Sequence, residues 1–262
     1  MMNLIQSESQ STASVRRFNC QYPSRLARLR ISVAIMVGFI VLAEFTSAQE
    51  PTELPLLAQE DFEKGLGDWK ATDVTAWKLL TTPKGQIVHQ FKQSEFKPPH
   101  RSPRNILLWK PHQVSDFVLT ARVHSTTKEY PHRDVCLFFG YQDPAHYYYV
   151  HFGKRADDHA NQIFIVNDVA RKKISERSTE GTPWTEKWHT IRVVRRVNDG
   201  LIEVYFDDLK VPTMVAHDKR FIHGRVGIGS FDDTAEWDDV ELRGIRYRET
   251  SSGRQRKKLK KQ

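Results

Sequence analysis

Cysteine is scarce in this chain: 262 residues hold two, Cys20 and Cys136. That excludes a disulfide scaffold, since the folded part keeps only Cys136, inside the apolar "DVCLFF", where a small buried hydrophobe is expected. The fold must rest on its core, which a domain of roughly 200 residues can supply. Helical periodicity is missing too. No amphipathic stretch exceeds a turn or two, which excludes a helical bundle. No apolar run reaches the roughly 20 residues of a spanning helix. The longest, "ISVAIMVGFIVLA" (Ile31–Ala43), is stopped by Glu44. HExxH zinc spacing and EF-hand spacing are also absent, so no metal site is marked by spacing.

The short apolar run has another use. Arg16, Arg17, Arg25, Arg28 and Arg30 precede it, and small residues at Thr46 and Ala48 follow. This order reads as a cleaved secretory signal over residues 1–48, with the mature chain beginning near Gln49; the alternative is an uncleaved anchor. A secreted or periplasmic location is therefore expected. The formal charge of +8 misleads in the same way. Residues 49–253 carry 29 basic and 30 acidic side chains, whereas "RQRKKLKK" (Arg254–Lys261) holds six positives. The domain is near neutral, and the basicity belongs to a tail, residues 249–262. That tail is expected to be disordered and suited to anionic polysaccharide or a membrane surface. Nucleic acid is not an expected partner of an exported chain.

What is present is strand chemistry. "DFVLTARVH" (Asp116–His124) alternates, with Phe117, Leu119, Ala121 and Val123 on one face. "HTIRVVRRV" (His189–Val197) and "LIEVYFDDLKV" (Leu201–Val211) flank Asn198-Asp199-Gly200, a hairpin turn signal. "GRVGIGSF" (Gly224–Phe231) and "DDVELRGIRY" (Asp238–Tyr247) complete the set. Short strands at this spacing, with no repeats and no internal boundary, predict a single all-β sandwich or jelly roll.

Three segments also carry a resemblance. "EDFEKGLGDW", "GYQDPAHYYYVHFG" and "KWHTIRVVRRVNDGLIEVYFDD…GRVGIGSFDDTAEWDDVEL" together resemble the concanavalin A-like lectin/glucanase superfamily, particularly its laminin-G-like bacterial members. The likeness covers nearly all of residues 59–245. More distantly, the chain is similar to 3-keto-disaccharide hydrolases, which share the fold. The resemblance implies a concanavalin A-like jelly-roll sandwich of two antiparallel sheets over residues 59–248, after a lead segment at 49–58. It does not fix an activity, because the superfamily hosts lectins, glycoside hydrolases, polysaccharide lyases and adhesion modules. Asp207-Asp208 departs from the Asp-Gly common at that hairpin. Members often join their first and last strands through calcium. That implies a structural Ca²⁺ on Asp239 with Glu63 or Asp61.

The candidate sites follow from residue types. In "HYYYVHFG", Tyr148, Val150 and Phe152 form the core face and Tyr147, Tyr149 and His151 the polar one. In "HRDVCLFFGY", His132 and Asp134 point away from the core. A hairpin across "QDPA" would bring His132, Asp134, Tyr149 and His151 onto one surface, joined by Arg122 and His124. Aromatic faces stack on sugar rings while Asp, Arg and His bind hydroxyls. Carbohydrate recognition is thus the leading expectation. The same types serve jelly-roll lyases, where Tyr149 and His151 would handle protons. A transition-metal site from His132, Asp134, His151 and His159 is the weaker reading. "KPPHRSPRN" (Lys97–Asn105) presents Arg101 and Arg104 on a stiff loop, suited to a carboxylate or sulfate. Trp184, beside Pro183, is expected to stack on sugar, and Trp188 to be core. "EWDDVE" matches the E-x-D-x-x-E of laminarinase-type hydrolases, but on an unbulged strand Glu241 would oppose Glu236 and Asp238. A plain adhesion module is the third possibility.

Overall fold

The computed structural model describes residues 53–248. The expected signal segment, the first residues of the lead and the basic tail lie outside them. Among the described residues the only helix is one 3-10 turn, Val74–Ala76; the rest is strand and loop. The all-β expectation holds.

Two antiparallel sheets share one long strand. β5 (Asn105–Ser125) is 21 residues long and runs through both layers. Its first half pairs with β2 (Trp69–Ala71) and β14 (Gly224–Ser230). That sheet continues through β6 (Cys136–Asp143), β7 (His146–His151), β8 (Gln162–Asn167) and the short β9 (Lys172–Lys173). Its second half pairs with β11 (His189–Arg195) and β15 (Ala235–Arg246). Outward from β11 lie β12 (Leu201–Phe206), β13 (Met214–His217) and β10 (Arg177–Ser178). Beyond β15 lie β1 (Leu56–Glu60) and β4 (Gly85–Gln90), the latter paired with β3 (Trp77–Thr82). The change of layer occurs where the register with β14 slips, between Leu108 and Gln113. Pro111 sits there and has no N–H to give a ladder.

The main core fills the space between the layers. Leu107, Trp109, Leu137, Phe139, Tyr148, Val150, Ile163 and Ile165 meet Phe117, Leu119, Ala121, Val123, Ile191, Val193, Trp237 and Leu242. Period-two alternation selects these residues, as predicted for β5 and β7. The first sheet buries its other face as well. Ile106, Leu108, Cys136, Phe138, Tyr147, Tyr149, Phe164 and Val166 form a second cluster there. Polar ties hold the Pro-rich segment 91–104 in place beside this sheet. Ser94 N–H donates to Asn105 Oδ1 at 2.7 Å, and Asn105 Nδ2 donates to Ser230 Oγ at 3.0 Å. Ser230 Oγ in turn lies 3.0 Å from Gln90 Oε1 and 2.6 Å from the Asp233 carbonyl. Gln90, Ser94, Asn105 and Ser230 are all buried, where such bonds are costly to lose.

Candidate functional site

The connection from β5 to β6 is anchored by Arg133, whose side chain is fully buried. It donates to the Ser125 and Thr185 carbonyls at 2.7 and 3.3 Å and to Glu186 at 2.9 Å. The next residue, Asp134, is thereby fixed. Its carboxylate contacts His151 Nε2 at 2.7 Å and accepts the Phe231 N–H at 3.2 Å. Its own N–H donates to Asp233 Oδ2 at 2.7 Å, and Asp233 also accepts the Tyr130 hydroxyl at 2.9 Å. Burial and the neighbouring Asp134 raise the Asp233 carboxyl to about 7. Asp232 is shifted upward for the same two reasons.

In front of this cluster lies a cleft of about 620 Å³, walled by segment 94–104 on one side and Phe231 and Asp232 on the other. Phe96 and Phe231 are half-buried, while Arg101, Arg104 and Asp232 are exposed. Among the described residues the Arg101 and Arg104 side chains make no hydrogen bond or ion pair. Arg171 stiffens the wall: its guanidinium lies 4.1 Å over the Phe231 ring, and its backbone N–H donates to the Arg101 carbonyl at 3.0 Å. The cleft thus offers two ring faces, the Arg101 and Arg104 guanidinium groups, Lys97, His100 and the carboxylates of Glu95 and Asp232.

The sequence-predicted residues divide sharply. Arg101 and Arg104 line the cleft. Asp134 and His151 come together, but as a buried contact behind the wall rather than on an open face. Tyr149 shares their face and is 0% exposed, stacked between Phe138 and Phe164, with its hydroxyl unpartnered. Burial holds that phenol well above its ordinary range. This corrects the expectation of a solvent-facing Tyr149. His132 is exposed, 3.9 Å from Asp157 and not among the cleft-lining residues.

Arg122 and His124 do not join them, because β5 has already changed layer. Arg122 bonds Asp239 at 2.7 Å and lies 5.0 Å over the Trp188 ring; His124 contacts Glu236 at 2.9 Å. The two tryptophans exchange roles. Trp184 is 3% exposed and donates its indole N–H to the Phe152 carbonyl at 2.8 Å, so it is core. Trp188 is half-buried on the outer face beside Arg122. β15 also bulges. Asp238 pairs with Arg122 and Glu241 with Thr120, leaving one extra residue on β15, and Asp239 takes φ 45°. Glu236, Asp238 and Glu241 therefore fall on one face, contrary to the unbulged expectation. Each already has a cationic or histidine neighbour: His124, Arg122 and Arg243 respectively.

Of the carboxylates expected to hold calcium, Asp61 and Asp239 line one concavity with Glu60 and Glu241. Glu63 accepts the Gln86 N–H at 2.6 Å, and Asp239 carries Arg122. Among the described residues, the donor set that suits a hard cation is Asp134, Asp232 and Asp233, whose ligand atoms lie within 4.8 Å of one another. Sequence reasoning missed Phe96, Arg171, Phe231, Asp232 and Asp233. The adjacent carboxylates in "GSFDDTAEW" were the available signal.

No protein-family model matches the chain, and no curated protein matches it. Solved structures do. The carbohydrate-binding module CBM66 of Bacillus subtilis is 16% identical, with 68% of this chain and 96% of that one covered and a TM-score of 0.49. A variant of the GH43 protein BlXynB of Bacillus licheniformis is 12% identical over 71% of this chain and 39% of that one, with a TM-score of 0.50. Domain 4 of AbnA, an extracellular GH43 arabinanase of Geobacillus stearothermophilus solved with arabinotriose, is 10% identical over 77% and 97%, with a TM-score of 0.48. At such identities the likeness is one of fold alone: a β-sandwich.

Proposed function

We propose that this domain is an exported carbohydrate-recognition module that binds an extracellular oligo- or polysaccharide in the cleft between segment 94–104 and Phe231. One observation carries the reading: two half-exposed aromatic rings, Phe96 and Phe231, line the same cleft as Arg101 and Arg104, whose guanidinium groups make no hydrogen bond among the described residues. Rings supply stacking for a pyranose, and free guanidinium groups bind a carboxylate or sulfate through paired N–H donors. The laminin-G-like kinship and export through residues 1–48 belong to this proposal.

The test is a glycan array on the purified protein, run with calcium and with chelator, followed by titration of the hits. Arg101→Ser with Arg104→Ser is expected to weaken an acidic glycan at least tenfold, about 1.4 kcal/mol. Unchanged affinity would remove the cleft from the account. A second reading, a polysaccharide-degrading enzyme, draws on Asp233, which holds a proton near neutrality beside the Asp134–His151 pair. Assaying the same glycans for new reducing ends and unsaturated uronates decides it. Binding without products sinks the enzyme reading.

A further inference from the structure

A second concavity lies at the opposite end of the β5–β14 pair. Among the described residues it encloses about 340 Å³ and is lined by Lys110, Gln113, His223, Arg246, Tyr247 and Arg248, with Pro111 and no carboxylate. The His223 and Tyr247 rings lie flat against each other, with centroids 3.6 Å apart and planes within 2°. Arg246 is held by the Leu57 carbonyl at 3.3 Å and by His112 Nδ1 at 2.8 Å. A guanidinium only donates, so His112 accepts and is neutral. Its burial and the Arg246 charge both lower the imidazole pKa. Neither partner of Arg246 therefore cancels its charge. Among the described residues Lys110 and Arg248 form no ion pair either. Elsewhere on the surface Arg122, Arg196, Arg220 and Arg243 each carry a carboxylate. Six further positives, in "RQRKKLKK", begin six residues after Arg248.

We infer that this concavity is an anion site for the sulfate or carboxylate groups of an acidic polysaccharide, continuing the charge of the tail. It is separate from the cleft and does not depend on what the cleft binds. A recess that gathers Lys110, Arg246 and Arg248 suits single anionic groups projecting from a slender chain, and such attraction weakens with salt.

The experiment uses the full chain with dextran sulfate, polygalacturonate, neutral dextran and phosphatidylserine-containing vesicles. Three variants are compared: Lys110→Ser with Arg248→Ser; Arg101→Ser with Arg104→Ser; and the six tail cations changed to Ser. The first is expected to lose about tenfold in affinity for whichever acidic polymer binds, in a salt-dependent manner, while neutral dextran does not bind. Dextran sulfate and polygalacturonate distinguish sulfate from carboxylate. In the background of the cleft variant, where the concavity is the remaining site, Lys110→Ser with Arg248→Ser is still expected to cost about tenfold, so a failed cleft and a failed concavity read differently. Unchanged affinity in the first variant, with all binding lost in the tail variant, would overturn the site in favour of the tail alone. Absence of acidic-polymer binding, or vesicles binding in preference to both polymers, would also overturn it.

Discussion

At the scale of the residue, Asp233 is the group whose chemistry departs furthest from its ordinary behaviour while still titrating in an accessible range. Its carboxyl stands at about 7, raised by burial and by Asp134, against an ordinary 3.8. Between those values the folded chain binds a proton that the unfolded chain does not. This contribution to stability is therefore present at low pH and is lost as pH rises from about 4 to about 7. Asp233→Asn keeps an oxygen for the Asp134 N–H and removes the titration. The expected outcome is that the thermal midpoint falls between pH 5 and pH 8 more steeply in the wild type than in Asp233→Asn. Parallel curves would show that Asp233 does not bind the proton. The residue scale is also where sequence reading reached its limit. The paired faces of Asp134, Tyr149 and His151 were legible, because period two fixes which way each side chain points. Their burial was not, since it depends on polar ties between positions as distant as Ser94, Asn105 and Ser230. Trp184 and Trp188 exchanged roles for a similar reason: the partner of the Trp184 indole, the Phe152 carbonyl, is 32 positions away.

Among the elements, β14 shows how closely the first sheet is packed. A Cβ on Gly224 would lie 2.2 Å from the Gly140 carbonyl carbon and 2.4 Å from the Tyr141 nitrogen. Both are backbone atoms, so neither can rotate away. Gly224→Ala is expected to destabilise the domain by about 3 kcal/mol, the upper part of the usual range for overpacking. The measurement is a denaturant midpoint with the slope unchanged. Gly67→Ala is the control, because a Cβ there meets nothing within 4 Å. A midpoint shift equal in the two variants would discount the backbone contact. Strand identity along β5, β11, β12, β14 and β15 was legible from alternation and from the Asn198-Asp199-Gly200 turn. The extra residue at Asp239 was not, because a bulge leaves the composition of the strand unchanged and only its partner's register reveals it. Nor did alternation show that β5 changes sheets near Pro111, the step that separates Arg122 and His124 from Asp134 and His151.

For the whole described domain, the two proposed sites make one joint prediction. The cleft adjoins Ser230 and Asn105, and the basic concavity adjoins Gly224 and Lys110, so they sit at opposite ends of the same strand pair. At about 3.3 Å per residue, the seven-residue β14 separates them by roughly 20 Å. An acidic chain shorter than that occupies one site at a time. A longer one engages both, and its second contact forms at the effective concentration set by the first. Affinity for size-fractionated acidic oligosaccharides should therefore step upward at least tenfold once the chain exceeds roughly 20 Å. Either Lys110→Ser with Arg248→Ser, or Arg101→Ser with Arg104→Ser, should abolish the step while leaving short chains bound at the surviving site. Calorimetric titration across the size series reads this directly. A smooth rise with length, equal in all three proteins, would mean that the charges act as a diffuse field and that the two sites do not cooperate on one chain.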